Sequence, residues 1–323
     1  MLLRRRLLLG AGAVLAWRAT FAQPARTIRV GVLAVPSAAA YAERTNALRA
    51  GLREFGYVEG RNLGIELRSG EGRFERMPAM ASELVALNVD VIVTAGTPAI
   101  RAAKAATQKI PIVIAAVGDA VGGGLVESLA RPGGNITGAT YFAPELAAKQ
   151  LEVLKETFPQ AVRIAFVINP DNPAMVSTQR NVESTAKALG IELETFAVRR
   201  PSDFDAALAA AAKRHKVVLI VDDPITISNA KLMADAALKH RLATAGFVEY
   251  AEAGGLLGYG VNLSAMWRRA AFFVDRIVKG ANPGEIPVER STNFYFIVNR
   301  RTAKAIEANI PAAVLLRADR IID

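Results

Sequence analysis

A unit made of a strand, a polar turn and a helix occurs four times in this chain, and the four units form two similar pairs. In one pair, the apolar runs 29–33 and 163–168 are each followed by a proline-containing turn and a helical stretch that ends at a glycine. In the other pair, the apolar runs 89–94 and 217–221 also precede a turn with proline and then a helix. Alternating strands and helices indicate a parallel sheet, and nearly continuous Val and Ile runs fit strands buried on both faces. The chain is therefore predicted to be an α/β protein with two similar lobes, each built on a parallel sheet.

The turns that follow the predicted strands indicate where a ligand would bind. Three of them place a polar residue before proline, namely Thr97-Pro98, Asn172-Pro173 and Asp223-Pro224. This pattern predicts a helix cap followed by proline in the first helical position. Open parallel sheets bind ligands beyond the carboxyl ends of their strands, where helix N-termini present free N–H groups. The sequence therefore predicts a ligand cleft between the two lobes, although each of these residues could also serve only as a cap.

Composition and charge exclude several classes of protein. The chain has 323 residues, of which 52% are hydrophobic and 22% are charged, so it is long and apolar enough for two globular domains. The formal net charge is +10, but part of it lies in the first 22 residues and the remainder is spread along the chain. Nucleic-acid-binding proteins usually concentrate basic residues in a patch, so we expect no nucleic-acid partner. The absence of cysteine excludes disulfides, thiolate metal sites and cysteine nucleophiles.

The N-terminus has the pattern of an export signal. Arginines at 4–6 are followed by the apolar run 7–17 and by Thr20-Phe21-Ala22. The apolar run is too short to span a bilayer of about 30 Å, so we predict a signal peptide over residues 1–22 rather than a membrane anchor. The arginines also loosely match a twin-arginine signal, which leaves both export routes open. The mature protein is expected in the periplasm.

Motifs that would indicate catalysis or a cofactor are incomplete. Gly122-x-Gly124 lacks the third glycine of a dinucleotide-binding turn, and Ser184-x-x-Lys187 lacks the partner motifs of penicillin-recognising enzymes. The two histidines have no partner at metal-ligand spacing. The acidic pair at 222–223 is better explained by capping or by contact with a ligand ammonium than by a metal ion. We therefore expect no enzymatic activity, no cofactor and no metal.

Several segments resemble a known family over nearly the whole mature chain. They lie at 55–63 (FGYVEGRNL), 110–119, 124–138 (GLVESLARPGGNITG), 252–256 (EAGGL) and 311–319. The chain resembles the ABC transporter substrate-binding proteins of the type I periplasmic-binding fold, in the group that includes tryptophan- and phenylalanine-binding members. The resemblance implies two Rossmann-like lobes that close on a small solute and dock to an ABC permease in the inner membrane. We expect the protein to be a monomer. It does not fix the solute.

The same resemblance implies how the chain is divided. The predicted helix 265–278 returns to lobe one, and the predicted strand 294–298 returns to lobe two. The expected segments are 27–140 with about 264–291 for lobe one, and about 141–263 with 292–323 for lobe two. The hinge is expected near 140–142, 258–260 and 291–293.

The candidate solute contacts follow from the chemistry of a zwitterion. Its carboxylate would bind at the hydroxyls and helix N-termini near Ser37 and Thr97, and its ammonium would bind Asp119 or Asp223. Aromatic walls would hold a planar side chain, and Asn172 could donate its amide. The aromatic candidates are Tyr41, Tyr141 and Phe247. We expect a solute with a carboxylate, most simply an amino acid with an aromatic or bulky apolar side chain.

Other functions on this fold remain open from the sequence. A ligand-sensing periplasmic protein that partners a membrane receptor or kinase would have the same lobes. A regulator of the lac-repressor type would need an N-terminal helix-turn-helix, whereas this chain has the predicted signal peptide there. An enzyme would need a nucleophile or an acid–base pair in the cleft, and none stands out above the caps.

Overall fold

The computed structural model describes residues 27–323, and the predicted signal peptide over residues 1–22 lies outside this range. The strands are β1 (Ile28–Ala34), β2 (Leu63–Ser69), β3 (Val91–Ala95), β4 (Ile112–Val117), β5 (Ile136–Thr140), β6 (Arg163–Ile168), β7 (Glu192–Ala197), β8 (Val217–Ile220), β9 (Ala243–Gly246), β10 (Leu257–Gly260), β11 (Glu289–Arg290), β12 (Tyr295–Asn299) and β13 (Arg320–Ile322). The helices are α1 (Ala42–Glu54), α2 (Met77–Ala86), α3 (Thr97–Ala106), α4 (Ala143–Thr157), α5 (Met175–Ala188), α6 (Phe204–Ala212), α7 (Pro224–Ser228), α8 (Ala230–Lys239), α9 (Val248–Glu252), α10 (Leu263–Val278), α11 (Arg300–Ala305) and α12 (Ala312–Leu316). Short 3₁₀ helices lie at Phe74–Arg76, Pro201–Asp203 and Pro283–Glu285.

The strands form two separate sheets. Sheet one has the order β11-β5-β4-β3-β1-β2, and all of its strand pairs are parallel. Sheet two has the order β13-β12-β10-β9-β8-β6-β7 and is parallel except where β12 pairs antiparallel with β10. The prediction of two α/β lobes with parallel sheets is confirmed.

Both faces of each sheet are covered by helices, as the apolar runs predict. In β3, Val91 and Val93 pack in one cluster with Trp267 of α10, whereas Ile92 between them packs in another with Ile100 of α3. Each of these side chains is buried. Full burial of one such side chain stabilises a fold by about 1.5–3 kcal/mol. The period of two along the strand therefore supplies both layers of the core.

The chain passes between the two sheets three times: from β5 to α4, from β10 to α10, and from β11 to β12. The helix α10 packs on α1 and β4 beside sheet one, whereas β12 pairs with β10 in sheet two. Two of the passages touch, because the guanidinium of Arg290 lies 4.0 Å from the ring centroid of Phe142. Phe142 itself has a left-handed backbone with φ 59°. None of the helices within residues 27–323 is long and apolar enough to cross a membrane.

The helix starts at the carboxyl edges differ in part from the predicted caps. Thr97 is the first residue of α3, and Gly96 before it holds the capping position with φ 79°. Asn172 lies in the turn before α5 rather than at its cap. The cap prediction is thus wrong for these two residues. Gly96, with its positive φ, starts α3 one residue earlier than predicted, and an additional turn after Asn172 delays the start of α5. It is confirmed for Asp223, whose side chain accepts the N–H of Ile225 at 2.8 Å.

Candidate ligand cleft

A cavity lies between the carboxyl ends of the two sheets, where the strand-to-helix turns of both lobes converge. Its polar and aromatic lining includes Tyr41, Arg44, Thr97, Tyr141, Asn172, Asp222, Asp223 and Trp267. Apolar side chains, among them Met175, Ile227 and Leu263, complete the wall. This is the location that the topology of open parallel sheets predicts for a ligand.

The two lobes touch at the turns that flank this cavity. A Cβ atom placed on Gly96 would lie only 2.9 Å from Cγ of Pro224, which belongs to the turn of the opposite lobe. The guanidinium of Arg44 reaches Glu249 across the cleft at 3.4 Å. Away from the cavity, Phe74 packs against apolar clusters of both lobes. The cleft is therefore closed around the cavity.

Arg44 is a nearly buried cation with few partners. Its side chain is 9% exposed and lines the cavity from α1. Its hydrogen bonding within residues 27–323 consists of one contact, from Nη2 to Oε1 of Glu249 at 3.4 Å, and Glu43 lies 3.5 Å from Nη1. A guanidinium carries five N–H donors, so most of its donors are left for an anion in the cavity.

Asp222 is the complementary anion on the wall of lobe two. Burial and then the charge of Glu249 raise the pKa of Asp222 to about 7, although the amide of Gln150, 3.5 Å from Oδ1, favours the ionised form. No lysine or arginine of the described chain pairs with this carboxylate. A half-buried carboxylate without a cation is costly, and a ligand ammonium would relieve that cost.

Asp223, the neighbouring acid, already has its partners. Oδ1 accepts from the amide of Asn169 at 3.2 Å and from the N–H of Ile225 at 2.8 Å, and Oδ2 accepts from the amide of Asn172 at 2.9 Å. Burial raises the pKa of Asp223, while these hydrogen bonds lower it. The side chain therefore ties the turn after β6 to the turn after β8, and it positions Asn172 as well.

An aromatic wall faces the charged groups. Tyr41 packs edge-on against Trp267 with ring centroids 5.1 Å apart, and Tyr141 lies on the same cavity. Burial raises the pKa of both tyrosines above the usual value, so both hydroxyls stay neutral. Thr97 is also buried at the N-terminus of α3 and lines the cavity.

Five of the eight predicted contact residues meet at this cavity: Tyr41, Thr97, Tyr141, Asn172 and Asp223. The other three lie outside its lining. Ser37 accepts the N–H of Ala40 in the turn after β1, and Asp119 accepts the N–H of Gly122 beside a separate groove at the cleft rim. Phe247 is buried against Tyr250 in the core of sheet two.

Sequence reasoning missed three of the charged and aromatic residues of the lining. Asp222 stands in a predicted turn, but the sequence does not show which acid of the pair 222–223 has its oxygens occupied. Arg44 and Trp267 lie on helices. From sequence alone, an arginine in a helix is expected to face solvent and a tryptophan to pack in the core. Within the described part of the chain, no group of three or more His, Cys, Asp or Glu could hold a metal ion.

Comparisons with known proteins agree with the two-lobed fold. The family model for ABC transporter substrate binding proteins matches residues 29–322. A tyrosine-binding protein of Clostridioides difficile is 26% identical over 257 residues, which cover 79% of this chain and 74% of that protein.

Two crystal structures have a similar fold. A conserved domain protein from Vibrio cholerae superposes with a TM-score of 0.86 at 30% identity, covering 92% of this chain and 100% of the other. An ABC domain from Streptococcus pneumoniae in complex with L-Trp superposes with a TM-score of 0.83 at 24% identity, with the same coverage. The chain therefore belongs to the ABC transporter substrate-binding protein family and is a binding protein rather than an enzyme.

Proposed function

We propose that this protein captures a zwitterionic amino acid with an aromatic or bulky apolar side chain between its two lobes and delivers it to a membrane permease. One observation carries the proposal. Two ions of opposite charge, Arg44 and Asp222, line one cavity from opposite lobes. Asp222 has no cationic partner within residues 27–323, and Arg44 makes a single hydrogen bond, to Glu249 at 3.4 Å, which leaves most of its donors free. A zwitterion supplies a cation for Asp222 and an anion for the free donors of Arg44 in one small molecule.

The ammonium of the solute would bind Asp222. Asp223 beside it has three N–H donors already, so its role is to support the turn. This proposal places the solute ammonium on lobe two, at the N-terminal side of α7.

The carboxylate of the solute would bind Arg44 and the N-terminus of α3. The guanidinium can bind a carboxylate through two parallel hydrogen bonds. Thr97 adds a hydroxyl, and the first N–H groups of α3 have no intrahelical acceptor. The ammonium and carboxylate of an amino acid share one carbon atom, and the turns that carry their partners touch at Gly96 and Pro224.

The side chain of the solute would pack among Tyr41, Tyr141, Trp267 and the apolar residues of the wall. The names of two relatives support this choice, since one is a tyrosine-binding protein and the other was crystallised with L-Trp.

The remaining parts of the proposal concern the whole molecule. Lobe one would consist of 27–140 with about 264–291, and lobe two of about 141–263 with 292–323. The three passages between the sheets would act as the hinge. We further propose that the protein works as a monomer in the periplasm, exported by the signal peptide over residues 1–22, with an ABC permease of the inner membrane as its partner.

Titration calorimetry with a panel of L-amino acids tests this proposal. We expect one solute per protein, with the tightest binding among aromatic and large apolar amino acids. Asp222→Asn and Arg44→Gln should each weaken that binding by about 2–5 kcal/mol, because each leaves one charge of the solute unpaired. Asp119→Asn is the matched control, since it neutralises an acid outside the cavity. Unchanged binding in the first two variants would refute the assigned site, and absence of binding to any amino acid would refute the proposed function.

A further inference from the structure

Glu249 is a buried acid that the proposed site does not use. It lies in the first turn of α9, behind the cavity wall. Its Oε1 accepts from the N–H of Leu263 at 3.2 Å and from Arg44 at 3.4 Å. Its Oε2 is buried and has no hydrogen-bond partner within residues 27–323. A buried oxygen without a hydrogen-bond partner costs free energy, so we expect this carboxylate to have a role that offsets the cost.

The charges around Glu249 come from several elements. Arg44 approaches from α1, Asp222 from the turn after β8, and Glu252 from the same helix. The charge of Glu249 also raises the pKa of Tyr141, which lies at the passage before α4. Burial raises the pKa of Glu249, and Arg44 lowers it.

We propose that Glu249 restrains solute affinity by acting as an internal competitor. Its carboxylate occupies the guanidinium of Arg44 that the solute carboxylate needs, and its charge opposes the ionisation of Asp222 that the solute ammonium needs. This inference rests on the proposed function, because both effects are defined by the charged groups of a zwitterion.

Both effects have the same sign. Without the negative charge of Glu249, Arg44 loses its ion pair across the cleft and binds the solute carboxylate more strongly, and the pKa of Asp222 falls toward its usual value. If Glu249 instead served to orient Arg44, removing its charge would leave the guanidinium less well placed and would weaken solute binding. The direction of the change in affinity therefore separates a competitor from a positioning residue.

The variant Glu249→Gln removes the charge and keeps the side-chain length and an oxygen for the N–H of Leu263. Glu252→Gln is the matched control, because Glu252 lies on the same helix, is partly exposed and pairs with Arg320 on the surface. The full mature protein would be titrated with L-tyrosine and with L-tryptophan between about pH 5.5 and 8.5.

We expect Glu249→Gln to bind both amino acids about fivefold more tightly than the wild type at pH 7, the lower end of typical couplings between sites. The wild-type affinity should fall as the pH drops through about 7, where Asp222 takes up a proton. In the variant this fall should occur at lower pH, and Glu252→Gln should match the wild type in both respects.

Equal or weaker binding by Glu249→Gln, with an unshifted pH profile, would overturn the inference and leave the proposed function standing. Absence of binding by the wild type would instead remove the proposed function. If the glutamine variant does not fold, as judged by its melting transition, Glu249→Met gives the same comparison with a neutral side chain of similar length.

Discussion

Asp222 and Arg44 are the two charged groups on which the proposed solute site depends, since Asp222 has no cationic partner within residues 27–323 and Arg44 has only the carboxylates of Glu249 and Glu43 nearby. Buried ions normally have close partners, because an unpaired charge in a low-dielectric interior is expensive. Here the carboxylate has one amide at 3.5 Å, and the guanidinium makes one hydrogen bond at 3.4 Å. In the proposed function, a solute ammonium would therefore pair with Asp222, and a solute carboxylate would bind the remaining donors of Arg44.

The unpaired carboxylate should reduce the stability of the empty protein. The pKa of Asp222 is about 7 in the fold and about 4 in an unfolded chain, so the fold binds more protons between these values. The contribution of Asp222 to stability should therefore fall as the pH rises from about 4 to 7 and stay constant above 7. Asp222→Asn should stabilise the empty protein by about 2–4 kcal/mol at pH 8.

Chemical unfolding at a series of pH values measures this effect. The difference between Asp222→Asn and the wild type should shrink toward zero as the pH approaches 4. A variant that is less stable than the wild type at pH 8 would mean that the carboxylate has partners in the empty protein, and the assignment of an unpaired anion would be wrong.

For single residues, the sequence predicts where the turns at the cleft lie better than it predicts which side chains of those turns point into the cavity. Thr97, Tyr141 and Asp223 were predicted at the cavity because strand ends are visible in the apolar pattern. Phe247 also follows a strand, but its ring turns into the core beside Tyr250. The direction of a side chain after a strand depends on the backbone of the turn, which a single sequence does not reveal.

At the cleft, the turn before α3 in one lobe packs closely against the first residue of α7 in the other. Gly96 ends the turn between β3 and α3 with a left-handed backbone, and the space beside it is filled by Pro224 at the start of α7. Glycine is needed there both for its φ and for its lack of a Cβ atom. The repeated pattern of strand, turn and helix in the sequence predicts these elements. It does not predict the exact cap residues, because these depend on how the two lobes fit together.

Gly96→Ala tests this contact, and Gly124→Ala is its control. Gly124 also has a positive φ, of 67°, but open space around it. Both variants should lose about 1–2 kcal/mol of stability through the left-handed backbone. We expect only Gly96→Ala to weaken solute binding as well, because its methyl group holds the two turns apart.

Thermal melts and calorimetry on the two variants give the comparison. Equal losses of affinity in both would show that backbone strain alone causes the effect. In that case the approach of Gly96 to Pro224 would have no part in closing the cleft.

The molecule as a whole is a pair of lobes joined by three passages, and contacts outside the cavity help to keep it closed. Phe74 packs against clusters of both lobes without lining the cavity. The two lobes themselves follow from the sequence pattern, since alternating strands and helices predict parallel sheets. The contact made by Phe74 does not, because it joins segments that are far apart in the chain.

Phe74→Ala should favour the open arrangement of the lobes. We expect every solute to bind about fivefold more weakly, since the loss of a half-buried ring costs about 1 kcal/mol. The ranking of solutes should not change, because the ring does not touch them. Phe55→Ala removes a ring that is 39% exposed and should leave affinity unchanged. X-ray scattering of the empty protein should show a larger radius of gyration for Phe74→Ala alone, and equal radii would argue against a role in closure.

The central claim is that the cleft recognises both charges of a zwitterion at once. Titration calorimetry with three ligands of one side chain tests it most directly: L-tyrosine, the acid that lacks its amino group and the amine that lacks its carboxylate, with the L-tryptophan series in parallel. Tight binding is predicted only for the amino acids, and each analogue should lose about 2 kcal/mol or more through an unpaired buried charge. Binding of either analogue as tight as that of its parent amino acid would contradict the account.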